Sequence, residues 1–192
     1  MQITVESTAI PDVRVVVAEA YQDSRGFFSE VYRQDQFEAL GLPSRFVQLN
    51  HSGSVKNVVR GLHFQWQPPM GKLMRVVRGT AWLVAVDIRK RSPTLGRWVG
   101  LEASGENRKQ LWAPEGFARG FCVLSDFAEI QYLCTGVYNS GAESGILWND
   151  REIGIDWPVD RPVLSEKDLR ARTFSQWLAA PESDHFTYGR GK

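Results

Sequence analysis

Of the three histidines, His51, His63 and His185, the one whose setting points to chemistry is His63, in Arg60-Gly61-Leu62-His63-Phe64-Gln65. A half-buried imidazole titrates near neutral pH and can take a proton from a substrate. A histidine among apolar neighbours reads equally as a hydrogen-bonded core residue, and these residues alone leave both readings open. Strict strand alternation sets Arg60 and His63 on opposite faces. Gly61 between them marks a candidate bulge, and one extra residue would bring both to one side.

A metal site fits poorly. All-β metal sites commonly use a His-x-His pair, a nearby carboxylate and a distant third histidine. Here Phe64 and Gln65 follow His63, and the distant position, in Pro114-Glu115-Gly116-Phe117-Ala118-Arg119-Gly120-Phe121, carries Arg119. A guanidinium has no lone pair to offer, and one histidine is too few for zinc or iron. Cys122 and Cys134 have no CxxC spacing and sit in apolar runs, so they read as buried free thiols.

Composition narrows the classes further. The 192 residues make one sizeable core rather than two domains, with residues 1–180 expected as a single domain and 181–192 as a polar tail prone to fray. A net charge of +1 gives no basic field for nucleic acid or acidic membranes. No apolar run reaches membrane-span length, and the N-terminal residues lack a signal-peptide pattern, so the expected location is cytoplasmic.

The elements that must position His63 read as short strands between turns: residues 13–17, 27–32, 45–50, 72–77, 81–87, 98–102, 120–124, 129–138 and 145–148. Within 45–50, Phe46, Gln48 and Asn50 point one way and Val47 and Leu49 the other. Arg78-Gly79-Thr80 reads as a tight hairpin turn. Helix is expected only at 34–40, closed by Gly41, and at 167–178. Strands at this spacing predict an all-β fold, an antiparallel sandwich or barrel.

Several segments, taken together and in order, resemble the dTDP-4-dehydrorhamnose 3,5-epimerase family. They are Asp23-Ser24-Arg25-Gly26-Phe27-Phe28-Ser29-Glu30, Gln48-Leu49-Asn50, Arg60-Gly61-Leu62-His63, Gly71-Lys72, Val84-Ala85-Val86-Asp87-Ile88-Arg89, Ser92-Pro93-Thr94, Pro114-Glu115-Gly116-Phe117-Ala118, Tyr132-Leu133-Cys134-Thr135, Ile153-Gly154-Ile155-Asp156-Trp157-Pro158 and Leu164-Ser165-Glu166-Lys167-Asp168. The likeness runs from the first strand to about Phe174.

The resemblance implies a cupin-like antiparallel jelly roll with a few short helices, working as a homodimer without cofactor or metal on a dTDP-linked 4-keto-6-deoxy sugar. It implies His63 as base, Asp168 as its orienting carboxylate, Tyr132 as proton donor and Lys72 as the cation beside the keto oxygen. Arg25, Glu30, Gln48, Asn50, Arg60, Glu143 and Lys167 match residues that hold the nucleotide and diphosphate, and Tyr138 matches an aromatic that stacks on thymine. The family usually has His where this chain has Arg119. Arg119 is expected to face the sugar, where it would either reinforce the enolate or narrow the reaction to C3.

The chemistry accounts for these residue types. A proton beside a ketone becomes removable when the enolate oxygen is stabilised, and losing one such donor typically costs roughly 3 to 4 kcal/mol of barrier. Inversion needs a second group on the other face to return a proton. The alternatives are an epimerase acting at C3 only or on another 4-keto sugar, and a non-catalytic nucleotide-sugar binder. A binder needs no acid–base pair, which the set His63, Asp168, Tyr132 and Lys72 supplies.

Overall fold

The computed structural model describes residues 1–189. The strands are β1 (Ile3–Ser7), β2 (Arg14–Ala18), β3 (Ala20–Asp23), β4 (Gly26–Ser29), β5 (Gln48–Val55), β6 (Val59–Gln65), β7 (Lys72–Arg78), β8 (Thr80–Asp87), β9 (Trp98–Ser104), β10 (Lys109–Ala113), β11 (Phe117–Val123), β12 (Phe127–Cys134) and β13 (Glu143–Gly145). Three short helices are α1 (Gln34–Ala39), α2 (Glu166–Leu169) and α3 (Phe174–Ala179). The strands form a six-stranded sheet, β1-β2-β10-β7-β12-β5, facing a five-stranded sheet, β13-β6-β11-β8-β9, with β3 and β4 as a separate hairpin. The paired strands of all three sheets are antiparallel, and the two large sheets face each other unclosed, as expected of a jelly roll.

Alternation explains the layers. Leu83, Ala85, Phe117 and Phe121 face Val15, Met74, Val76, Leu111 and Ile130 in the space between the sheets. The opposite side of β8 and β11, with Val84, Val86, Ala118 and Cys122, is covered by Trp157, Phe174, Trp177 and Phe186. Both central strands are therefore apolar on both faces, which is why they read as continuous hydrophobic runs. Phe37 of α1 seals the outside of the six-stranded sheet over Val16, Leu73 and Trp112.

Some expectations change. The Gly79 turn is not a hairpin: β7 pairs with β10 and β12, whereas β8 pairs with β9 and β11. The chain crosses between sheets there, with Gly79 at φ 75° because a Cβ would lie 2.2 Å from the Phe127 carbonyl oxygen. The single helix expected at 167–178 is two. Ser165 accepts from the Asp168 N–H to start α2, and Thr173 with Gln176 forms a capping box that starts α3. Between them Arg172 bridges Ile146 as extended chain. Strands β1, β3 and β10 were not anticipated.

The C-terminal segment is packed as far as it is described. Residues Pro181–His185 form a 3-10 turn, Ser183 is buried, and Phe186 is buried against Phe64 and Trp177. Burying a Phe stabilises by about 1.5–3 kcal/mol, enough to offset the ~1–2 kcal/mol of fixing its backbone. Residues 190–192 of the expected tail lie outside the described residues.

Candidate active site

The bulge expected at Gly61 is present and decides the site. In the pairing of β6 with β11, Arg119 lies opposite His63 but Phe121 lies opposite Arg60, so three steps on β6 match two on β11. Arg60 and His63 consequently line one pocket, with Lys72, Met74, Arg119, Gly120, Phe121 and Tyr132. Gly61 permits this at φ 138°, since a Cβ would meet the Gly120 Cα at 2.6 Å.

His63 Nε2 is 2.5 Å from Asp168 Oδ1, with the imidazole 33% exposed and the carboxylate 4%. Burial pushes the Asp168 carboxyl up, but hydrogen bonds from His63, Ser165 and the Gly61 backbone outweigh it and hold the group below its usual value. An ionised carboxylate accepts the Nε2 proton, which leaves the lone pair on Nδ1. The Ser165 cap fixes Asp168 within the first turn of α2.

Lys72 and Tyr132 come from the facing sheet. Lys72 lies opposite Ala113 on one side and Cys134 on the other, and Tyr132 lies opposite Met74 and Asn50. The Lys72 ammonium sits 5.2 Å from the Tyr132 ring centroid. Burial, followed by the nearby Arg119 charge, pulls Lys72 down to about 8, so it remains mostly protonated at neutral pH. Burial also pushes the Tyr132 phenol up, so it keeps its proton.

A polar wall continues from the pocket. Gln48 and Asn50 share one face of β5, as alternation predicts, and it is the more buried one, with Gln48 Nε2 donating to Asn50 Oδ1 at 2.9 Å. Gln48 Oε1 accepts from the Tyr138 N–H at 2.8 Å. Glu143 Oε1 accepts from the Tyr138 hydroxyl at 2.8 Å and also from the Lys167 ammonium. The pocket itself, about 130 Å³, admits the edge of one ring. Small-molecule sites usually span roughly 300–1,000 Å³, so a larger ligand must extend along this wall.

The model of the dTDP-4-dehydrorhamnose 3,5-epimerase family matches residues 7–176. The chain is 52% identical to the dTDP-4-dehydrorhamnose 3,5-epimerase of Shigella flexneri, over 90% of this chain and 96% of that one. The chain belongs to this epimerase family. A solved dTDP-6-deoxy-D-glucose-3,5-epimerase from Legionella pneumophila, in complex with dTDP-4-keto-L-rhamnose, superposes with a TM-score of 0.90 at 43% identity, covering 95% of this chain and 97% of that one. A dTDP-4-dehydrorhamnose 3-epimerase of Streptomyces niveus is 42% identical over 84% of this chain and 79% of that one.

Within this family member, Arg119, Arg25 and Glu30 are placed differently from the other expected site residues. Arg119 lines the pocket, as expected, and its terminal nitrogens also bond backbone carbonyls. Nη1 donates to the carbonyls of Ala113 (3.2 Å) and Pro114 (2.8 Å), and Nη2 to that of Met70 (2.6 Å). Arg25 and Glu30 do not line the pocket of their own chain. Arg25 is 88% exposed on the β3–β4 hairpin and pairs with Asp23, and Glu30 pairs with Arg33. The sequence places them beside β4, but this sheet of two strands stands apart from the two large ones.

Other epimerase residues went unrecognised. Gln65 is buried, donates to the carbonyls of Pro68 and Val137 at 2.8 and 2.9 Å, and accepts from the Asn139 N–H at 2.7 Å. It thereby sets the segment that carries Tyr138. Its signal was a lone amide at the end of an apolar strand. Ser54 accepts from Arg60 Nε at 3.0 Å. Asp87, in a segment shared with the family, is wholly buried and accepts from Arg89, Ser92 and Thr94; it holds the end of β8 rather than the pocket.

Proposed function

We propose that this chain converts dTDP-4-dehydro-6-deoxy-D-glucose to dTDP-4-dehydro-L-rhamnose by inverting C3 and C5. The observation that carries this reading is the pair of His63 on one sheet and Asp168 on the helix packed over it, with Tyr132 and Lys72 on the facing sheet. His63 Nδ1 takes the proton from carbon, and the bond electrons move onto the C4 oxygen. Lys72 donates a hydrogen bond to that enolate oxygen, where a positioned donor is most effective. The Tyr132 hydroxyl gives a proton to the opposite face, and the carbonyl re-forms. Asp168 keeps the imidazole in the right tautomer and stabilises the imidazolium. Such a positioned base contributes ~10²–10⁴-fold.

The nucleotide runs along the polar wall of Gln48, Asn50, Tyr138, Glu143 and Lys167, with Arg60 at the diphosphate, where a forked guanidinium is favoured. We further propose a homodimer in which the β3–β4 hairpin of one copy brings Arg25 and Glu30 to the site of the other. Three features support it: Phe27 and Phe28 are 62% and 68% exposed on that hairpin, Leu49 and Val55 are exposed on edge strand β5 with Val47 just before it, and one chain's pocket is too small for the whole substrate. The described residues contain no helix long and apolar enough to cross a membrane, and both cysteines are free and buried. Free thiols fit a reducing compartment, and we place the enzyme in the cytoplasm.

Incubation with the 4-keto substrate in D₂O tests the reading. Deuterium at C3 and C5 is expected. Deuterium at C3 alone would mean a 3-epimerase, and none at either carbon would leave a binding protein. Light scattering should give the mass of two chains.

A further inference from the structure

The Arg119 guanidinium is buried and makes no ion pair among the described residues. Its terminal nitrogens tie together three carbonyls that flank Lys72: Met70, two residues before it, Ala113, its partner across the β7–β10 ladder, and Pro114 beyond. Its Nε is buried without a partner. Carbonyl dipoles hold this buried cation, and Cys134 and Glu115 favour its charge without forming an ion pair; burying a cation is costly to a fold, which makes its placement beside a second cation informative. Burial lowers Arg119 only to about 10, so it is charged at neutral pH.

We propose that Arg119 is a positioning residue that acts through Lys72, clamping the strand end that carries it and setting a permanent positive charge beside it. The inference rests on the reading of Lys72 as the enolate's hydrogen-bond donor. A like charge nearby makes an ammonium readier to release its proton and so a stronger donor to an enolate oxygen. The other groups facing Lys72 are Cys134 and Tyr132 of β12, Glu143 of β13, Lys167 of α2, and Arg60 and His63 of β6. Of these, Glu143 and Cys134 act against Arg119, and Lys167 acts with it.

The test follows the Lys72 amine directly, by NMR of protein methylated with ¹³C at its lysines, with Lys72→Arg to assign the signal. In Arg119→Met the Lys72 midpoint should rise above its wild-type value near 8, without reaching the ordinary 10.5 because burial remains. In Arg119→Lys, which keeps the charge, it should stay low. The alkaline limb of kcat should move upward with it in the Met variant while KM changes little. Should the Met variant not fold, Arg119→Gln, neutral but still able to donate to a carbonyl, must show the same rise. An unmoved Lys72 midpoint in a folded neutral variant overturns the proposal. A midpoint that moves in a protein giving no deuterium exchange would instead sink the epimerase reading and leave the Arg119–Lys72 coupling standing.

Discussion

His63 Nε2 and Asp168 Oδ1 are 2.5 Å apart although 105 residues of chain separate them. The imidazole comes from a bulged strand and the carboxylate from the first turn of a four-residue helix. Each is fixed by its own local device, and only the packing of the C-terminal segment over β6 makes them partners. That bond engages Nε2 and leaves Nδ1 as the ring nitrogen available to act as base.

His63→Ala should abolish deuterium exchange at carbon, by ~10²-fold or more, while dTDP still binds. Exchange is read by mass spectrometry and binding by calorimetry. A variant that exchanges at the wild-type rate removes His63 as base, and one that unfolds returns it to a structural role.

Asp168→Asn preserves shape but offers an amide where the ring needs a carboxylate. In a histidine–aspartate pair of this kind the expected loss in turnover is on the order of 10³–10⁴-fold, with KM little changed. Steady-state kinetics decide it, and a loss under tenfold would mean that Asp168 does not orient the base.

Tyr132→Phe should keep exchange from the His63 face and slow net inversion. NMR of recovered substrate and product separates the two. Unaltered product formation would assign the returning proton to another group.

Asp87→Ala leaves Arg89 with Asp12 alone, at 2.8 Å, and strips the acceptor from Ser92 and Thr94. Loss of one partner from a buried network costs about 3 kcal/mol, and a chain of this size loses roughly 2–4 °C of Tm per kcal/mol. Burial pushes the Asp87 carboxyl up, but hydrogen bonds from Arg89, Ser92 and Thr94 hold it below its ordinary 3.8. Its contribution is therefore present above the unfolded value and lost as pH falls through the folded one. Urea unfolding against pH should show a shallower acid decline in the variant than in the wild type; equal slopes would show that Asp87 does not carry the acid sensitivity.

Gly61→Ala adds a methyl 2.6 Å from the Gly120 Cα at a φ of 138°, where alanine is strained. Folding yield should fall, and any folded fraction should lose turnover because Arg60 and His63 can no longer share one face. Wild-type activity would show that the bulge does not set the site.

Residue types and spacing by themselves determined a good deal. Alternation in Gln48-Leu49-Asn50 fixed which side chains share a face, because strand periodicity is a local property of the backbone. Gly61 announced the bulge for the same reason: a residue without Cβ is needed where two backbones nearly touch. Tertiary structure alone decided the rest. Gly79 permits a sharp turn in either case, and only the competition of β9 to β12 for partners sends β7 and β8 to different sheets. Arg119 lines the pocket, and only the fold brings the carbonyls of Met70, Ala113 and Pro114 to its guanidinium, because a buried donor bonds the acceptors that packing places within reach. Which groups satisfy one another depends on distances that the chain acquires only when its two sheets close on a common core.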